Sequence, residues 1–158
     1  MGYQRLGRAL YLACGFESDC RSLAFLLKVR EPQPDGQSDE QFWDAVSKVV
    51  LSRLVDLSKL IARRANLKED YAAMLHAARD ARNFVAHEAA DELDRLTKLP
   101  DGLDRWRELM ASKLQEIALG KIILAILLSR NLAEATPKRE TINAYSKKIE
   151  SWVLQSGA

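Results

Sequence analysis

The sequence predicts an all-α protein, an up-and-down bundle of about five helices. Three observations predict it. Apolar residues recur at three- and four-residue spacing along most of the chain, and no segment shows convincing strand alternation. The breaks are few and strong, chiefly PQPDGQ at 32–37 and LPDG at 99–102. The short connections after the second and third predicted helices favour antiparallel neighbours.

The elements follow in order. The first stretch carries Tyr3, Leu6, Leu10, Ala13, Cys20, Leu23 and Leu27 on one seam, with Glu17 as its odd member. Gly15 either divides this stretch into two helices or merely softens one. A second helix is expected over 39–64. Ser38 followed by Gln41 is a capping-box pattern, and Phe42, Val46, Val49, Val50, Leu54, Leu57 and Ile61 form the stripe. The third is expected over 67–90, with Asn66 and Glu69 as its capping signal. The fourth should span 103–132, and its apolar run 117–128 should lie near the centre of the core. Thr136 reads as the N-cap of the last helix, with Pro137 at the first helical position.

The 158 residues fit one domain able to bury a core without metals or disulfides. With 47% hydrophobic and 29% charged residues, the chain is neither disordered nor a membrane bundle. The run 117–128 contains Lys121 and is too short to cross a bilayer, so no membrane partner is expected. The N-terminal apolar stretch is too short for a signal peptide. Two cysteines, Cys14 and Cys20, form no secreted framework and read as thiols packed in a helix of a cytoplasmic protein. A net charge of +2 makes no global case for nucleic acid but leaves room for a local site. Trp43, Trp106 and Trp152 are far apart and read as edge-of-core anchors rather than a stacking platform.

Chemistry concentrates in the third helix. Leu67, Tyr71, Leu75, Ala78, Val85 and Ala89 share its apolar face, and position 82 on that face is Arg. A cation there must be paired, line a wet cleft or sit at a subunit interface. A second stripe holds His76, Asp80, Asn83 and His87, including both histidines of the protein. Asp80 and Asn83 could form a polar ladder with His87. The ordinary alternative is a solvated face. Eleven residues separate His76 from His87, about 16 Å along a helix. One ion cannot reach both in a single chain, so no metal or other cofactor is expected.

The string Arg82-Asn83-Phe84-Val85-Ala86-His87 resembles the motif of the HEPN superfamily of small helical-bundle proteins: Arg, a polar residue, then His four to six residues on. The motif lies deep in one helix of an all-helical chain of suitable size, and the helix plan extends the resemblance to much of residues 1–158. The resemblance implies a single HEPN-like domain and a metal-independent ribonuclease. Arg82 and His87 would be catalytic at a homodimer groove. Many members of the superfamily serve as toxins or in antiviral defence, and some pair with a nucleotidyltransferase-type antitoxin. Other members are binding or assembly modules. One toxin branch has Tyr two positions after the histidine, where this chain has Ala89, so that branch and any modification of such a tyrosine are not implied.

The residues support such chemistry in their own right. His titrates near neutrality and can move the proton of an RNA 2′-hydroxyl, while Arg presents a permanent fork of donors to phosphate. Asn83, four residues before His87, could orient it. His76 and Asp80 are candidate auxiliary residues. Arg82 and His87 are five apart, about 140° around a helix and 7.5 Å along it. A twofold axis bringing in a second copy would supply convergence. The competing reading is a non-catalytic interaction module. In it Arg82 pairs with a partner chain's Asp80 or Glu88, and His87 caps a helix or packs at the edge of the core.

Overall fold

A computed structural model of the chain describes residues 2–155; Met1 and residues 156–158 of the expected 1–158 domain lie outside the described residues. Among the described residues the chain is all-helical, with seven helices and no strand. They are α1 (Gly2–Val29), α2 (Asp39–Val50), α3 (Leu54–Arg64), α4 (Glu69–His87), α5 (Ala89–Leu96), α6 (Gly102–Leu132) and α7 (Arg139–Leu154).

The count of seven corrects the expected five, and two breaks account for it. The expected 39–64 helix divides at residues 51–53. There the Ser52 hydroxyl donates to the Val49 carbonyl at 2.7 Å, a local bond that competes with helix continuation. Arg21 on α1 donates to the Val50 and Ser52 carbonyls, satisfying oxygens that the break leaves over. The expected 67–90 helix stops at His87, and Glu88 (φ −120°, ψ −28°) turns the chain into α5. The buried Trp106 indole donates to the Ala89 carbonyl at this corner.

Two caps also differ. Asn66 does not cap α4. It sits at φ 47° just past the end of α3. The amides of Asn66 and Leu67 donate to the Arg63 and Ala62 carbonyls, the paired bonds of a Schellman motif. Asn is among the few residues that tolerate this left-handed position. Thr136 does not cap α7; Lys138 occupies the N-cap position in extended conformation, with no side-chain capping bond, and Pro137 lies outside the helix. The Ser38–Gln41 capping box is present, with both reciprocal bonds formed. Gly15 does not break α1, which runs unbroken through it.

The core draws on every helix except α2, whose Val49 packs against its edge. The chain's most apolar run lies in its midst: Ile117, Ala118, Ile123, Leu124 and Leu127 of α6 are buried. α4 packs most extensively on α6 and also on α1. Close approach is set by Gly120, where a Cβ would lie 2.3 Å from the Ala78 Cβ and 2.8 Å from Phe16 Cε2. Trp106 is fully buried, while Trp43 and Trp152 are about half exposed. Cys20 is buried and Cys14 exposed, so only one of the two thiols is packed.

Gly120→Ala should therefore destabilise the protein by about 1–3 kcal/mol through overpacking. Gly7→Ala, at an exposed α1 position with nothing within 4 Å of a new Cβ, should gain about 0.5–1 kcal/mol from helix propensity. Urea unfolding followed by circular dichroism measures both. Equal effects of one sign would contradict the packing described.

Candidate functional site

The site is built from two residues that interrupt apolar seams on different helices. Glu17 is the odd member of the α1 seam, and Arg82 is the odd member of the α4 seam. They meet: one Nη of Arg82 pairs with Oε2 of Glu17, and both side chains are mostly covered. The other carboxylate oxygen, Oε1, accepts from Arg21 at 2.6 Å. One carboxylate thus bridges two guanidiniums. Burial by itself would raise the Glu17 carboxyl, but the hydrogen bond from Arg21 and the charges of Arg82 and Arg21 outweigh it and hold the group below its ordinary value of 4.5. Glu17 is the carboxylate here at neutral pH.

Arg82 has a second partner. Its Nη1 donates to Oδ1 of Asn83 at 3.1 Å. Its Nε is buried without a hydrogen-bond partner. The guanidinium is therefore fixed on two sides, and 18% of the side chain remains exposed. A carboxylate was one of the three explanations available for a cation on this face. The carboxylate comes from α1 of the same chain rather than from Asp80 or Glu88. Glu17 was visible in the sequence as an exception to its own seam; nothing there said that the two exceptions would be opposite one another.

The second α4 stripe is divided among separate partners. Asp80 is exposed and is held by the fork of Arg79, with Nε to Oδ1 at 2.8 Å and Nη2 to Oδ2 at 3.0 Å. Asn83 faces Arg82. His87 is exposed in the last turn of α4. Among the described residues no hydrogen bond joins Asn83 to His87, so the Asp80–Asn83–His87 ladder is not formed. Because α4 is continuous from Arg82 to His87, no distortion brings these two side chains together within one chain.

His76 is partly covered, and its Nδ1 is buried without a partner. Burial, with the charges of Arg79 and Lys59, lowers its pKa below the ordinary 6.5 against the opposing pull of Asp80. Two carboxylates of α5 find partners within the chain. Glu92 pairs with Arg95, and Asp94 accepts from the Tyr3 hydroxyl at 2.8 Å. Among the described residues no group of three or more His, Cys, Asp or Glu is placed to hold a metal ion. Among the described residues no helix is long and apolar enough to cross a membrane.

Arg82, Asn83 and His87 therefore occupy one end of α4, with the cation held and the imidazole open. His76 and Asp80 lie further back, the first half-covered and the second engaged by Arg79. Comparison with models of protein families, with curated proteins and with solved structures matches none of them.

The His76 environment yields a signed pH dependence. With its folded pKa depressed, the unfolded chain binds this proton first, so stability should fall as pH drops below about 6.5 toward the folded value. His76→Gln should remove that part of the decline and leave the carboxylate-driven loss at lower pH. Melting curves from pH 7.5 to pH 5 check this, and identical slopes in both proteins would contradict it.

Proposed function

We propose that this chain is a metal-independent endoribonuclease acting as a homodimer, with Arg82 and His87 of two copies lining one groove, as its resemblance to the HEPN superfamily implies. The observation that carries the reading is the contrast between the two motif side chains. The Arg82 guanidinium is held by Glu17 and Asn83, whereas His87 presents an exposed imidazole on the same helix.

In this reading His87 takes the proton of a 2′-hydroxyl, the 2′-oxygen attacks the adjacent phosphorus, and the 5′-oxygen leaves with a proton. The products are a cyclic phosphate and a 5′-hydroxyl end. Arg82 stabilises the charge that develops on the phosphate oxygens, and its fixed orientation removes part of the ordering cost of binding. Glu17 and Asn83 are positioning residues for that guanidinium. The regular helix between Arg82 and His87 is the reason the mechanism calls for a second copy. The fold belonging to this proposal is a single up-and-down bundle of HEPN type in a cytoplasmic protein. Its setting is a toxin–antitoxin or antiviral system, with a nucleotidyltransferase-type antitoxin as a candidate partner.

A second reading has its own observation. Glu17 neutralises Arg82 within the chain, in the manner of a structural ion pair, where the interaction-module reading looked to a partner chain's Asp80 or Glu88 for the carboxylate. The two readings separate in one assay. Purified protein should cleave a mixed RNA pool in EDTA and leave DNA intact. His87→Ala should lose roughly 10²–10⁴ in rate, the usual worth of general acid–base help, with helix content unchanged. Arg82→Lys should also fail, because a point charge does not reproduce a two-pronged contact. Light scattering should give about twice 17.8 kDa. No cleavage by the wild type over several RNAs, or equal cleavage by wild type and His87→Ala, would overturn the catalytic reading.

A further inference from the structure

α1 differs from the other helices in what it turns to solvent. Among the described residues each of the other six exposes three or more charged side chains, whereas the exposed positions of α1 carry none. The helix is not short of charges. Arg5 is buried, Arg8 donates to the Trp152 carbonyl at 2.8 Å, Asp19 pairs with Lys121, and Lys28 pairs with Glu31. Glu17 and Arg21 belong to the network of Arg82, so the charges of α1 are engaged by its own chain. What stays outside is an uncharged row that repeats every eleven residues: Tyr3, Cys14 and Phe25, then Gly7 and Ser18, then Tyr11 and Ser22. Eleven residues are close to three turns, so the row runs almost straight for about 33 Å along α1.

The row is rich in exposed apolar surface. Tyr3 is 66% exposed, Tyr11 76%, Leu10 41% and Phe25 38%. Trp152 of α7, about half exposed, extends the face, its ring meeting Tyr11 edge-on at 6.1 Å. At about 200 Å² for a large side chain, these five expose on the order of 500 Å². A patch of that size on a single chain marks an interaction site. The small residues between them bring the face toward the roughly 800 Å² that each partner of a stable dimer covers. A face without charge calls for a partner face without charge, since a charged one would lose its water and gain no counter-charge. A second α1 supplies one, and the row is self-complementary. With two copies antiparallel and a twofold axis at Cys14, Tyr3 lies opposite Phe25 of the partner subunit. Leu10 and Tyr11 lie opposite the partner's Ser18. Large side chains then meet small ones near the axis, and aromatic ones meet at the ends.

We propose that the outward face of α1 is the interface between two copies of this chain, packed antiparallel about Cys14. The interface rests on α1 and needs no ribonuclease activity. One consequence does rest on the proposed function: this interface would bring the two motif side chains together. α4 runs antiparallel to α1. Arg64, before α4, pairs with Glu31; Arg82 pairs with Glu17; and Asp94, beyond α4, accepts from Tyr3. His87, five residues past Arg82, is therefore level with about residue 12 of α1. A twofold axis at residue 14 carries that level to about residue 16, next to the level of Arg82 at Glu17. Both α4 helices lie on one side of such an antiparallel pair, so the partner's His87 comes level with Arg82.

The test combines light scattering with crosslinking of the full chain. Scattering at micromolar concentration should give about twice 17.8 kDa, a mass that a dimer through any face would share. Ser18→Arg, an exposed change beside the axis, should weaken dimerisation at least about a hundredfold, because symmetry buries the new charge twice. Ser112→Arg, exposed on α6, should leave the dimer intact. A short bis-maleimide should join two chains through Cys14, and both Cys14→Ser and Ser18→Arg should lose that product. Cys20 does not compete, since it is buried and its thiol is pushed up to about 12. Circular dichroism confirms that each variant folds, and crosslinking of the wild type stands even if Ser18→Arg does not fold. A monomer at every concentration would overturn the proposal, whether free or carried by neutral lipid vesicles. So would a dimer that folded Ser18→Arg leaves intact, or one that Cys14 does not crosslink. RNA cleavage is read separately. An uncleaved RNA pool beside a Cys14-linked dimer would sink the ribonuclease reading and keep the interface. Cleavage by a dimer indifferent to Ser18→Arg would do the reverse.

Discussion

The Glu17 carboxylate, lodged between Arg21 and Arg82, is the contact on which the rest of the arrangement depends. Three charges sit where α1, α4 and the α2–α3 corner meet. Removing the carboxylate would leave two guanidiniums without the counter-charge they share. Removing Arg82 would leave Glu17 with Arg21 alone. Arg21 has a second duty, donating to the backbone at the α2–α3 break. The network therefore links the placement of α4 on α1 to the corner that divides an otherwise continuous amphipathic stretch. Ion pairs of this kind add little net stability over a well-packed apolar alternative, but losing one partner is costly. Rotating or sliding α4 on α1 would separate Arg82 from Glu17.

The same contact bears on chemistry in two opposite ways. A carboxylate behind a guanidinium fixes its plane and lowers the ordering cost of meeting phosphate. It also supplies a negative charge that competes with phosphate for the same donors. Orientation favours a catalytic Arg82; neutralisation favours a structural one. The exposed imidazole of His87 suits proton transfer in the first reading and a solvated helix end in the second.

Much of the fold was legible in the sequence, and the misses have physical causes. The fourth expected helix, 103–132, differs from α6 by one residue, because a long apolar run and a strong LPDG break fix it. The break between α2 and α3 was hidden because Val46, Val49, Leu54, Leu57 and Ile61 keep helical phase across it. The interruption is made by a Ser52 backbone bond and by Arg21 reaching from another helix. Asn66 illustrates a chemical ambiguity: the residue type that caps helix starts is also one that tolerates the left-handed turn ending a helix. At the site, Arg82 was conspicuous as a cation on an apolar face, and Glu17 as an acid on another. Their pairing was not legible, since periodicity places residues on faces but does not say which faces meet. Asn83 was expected to serve His87; its amide oxygen lies instead with Arg82, one residue away.

The most direct measurement of this account is a double-mutant cycle on Glu17 and Arg82. Glu17→Gln, Arg82→Met and the double variant are unfolded in urea beside the wild type. If the bridging carboxylate holds α4 on α1, the two losses should be strongly non-additive, with a coupling of about 1–3 kcal/mol. The double variant should then be no less stable than the worse single one. Simple additivity, with no coupling, would mean that Glu17 and Arg82 do not hold each other, and the central contact would be contradicted.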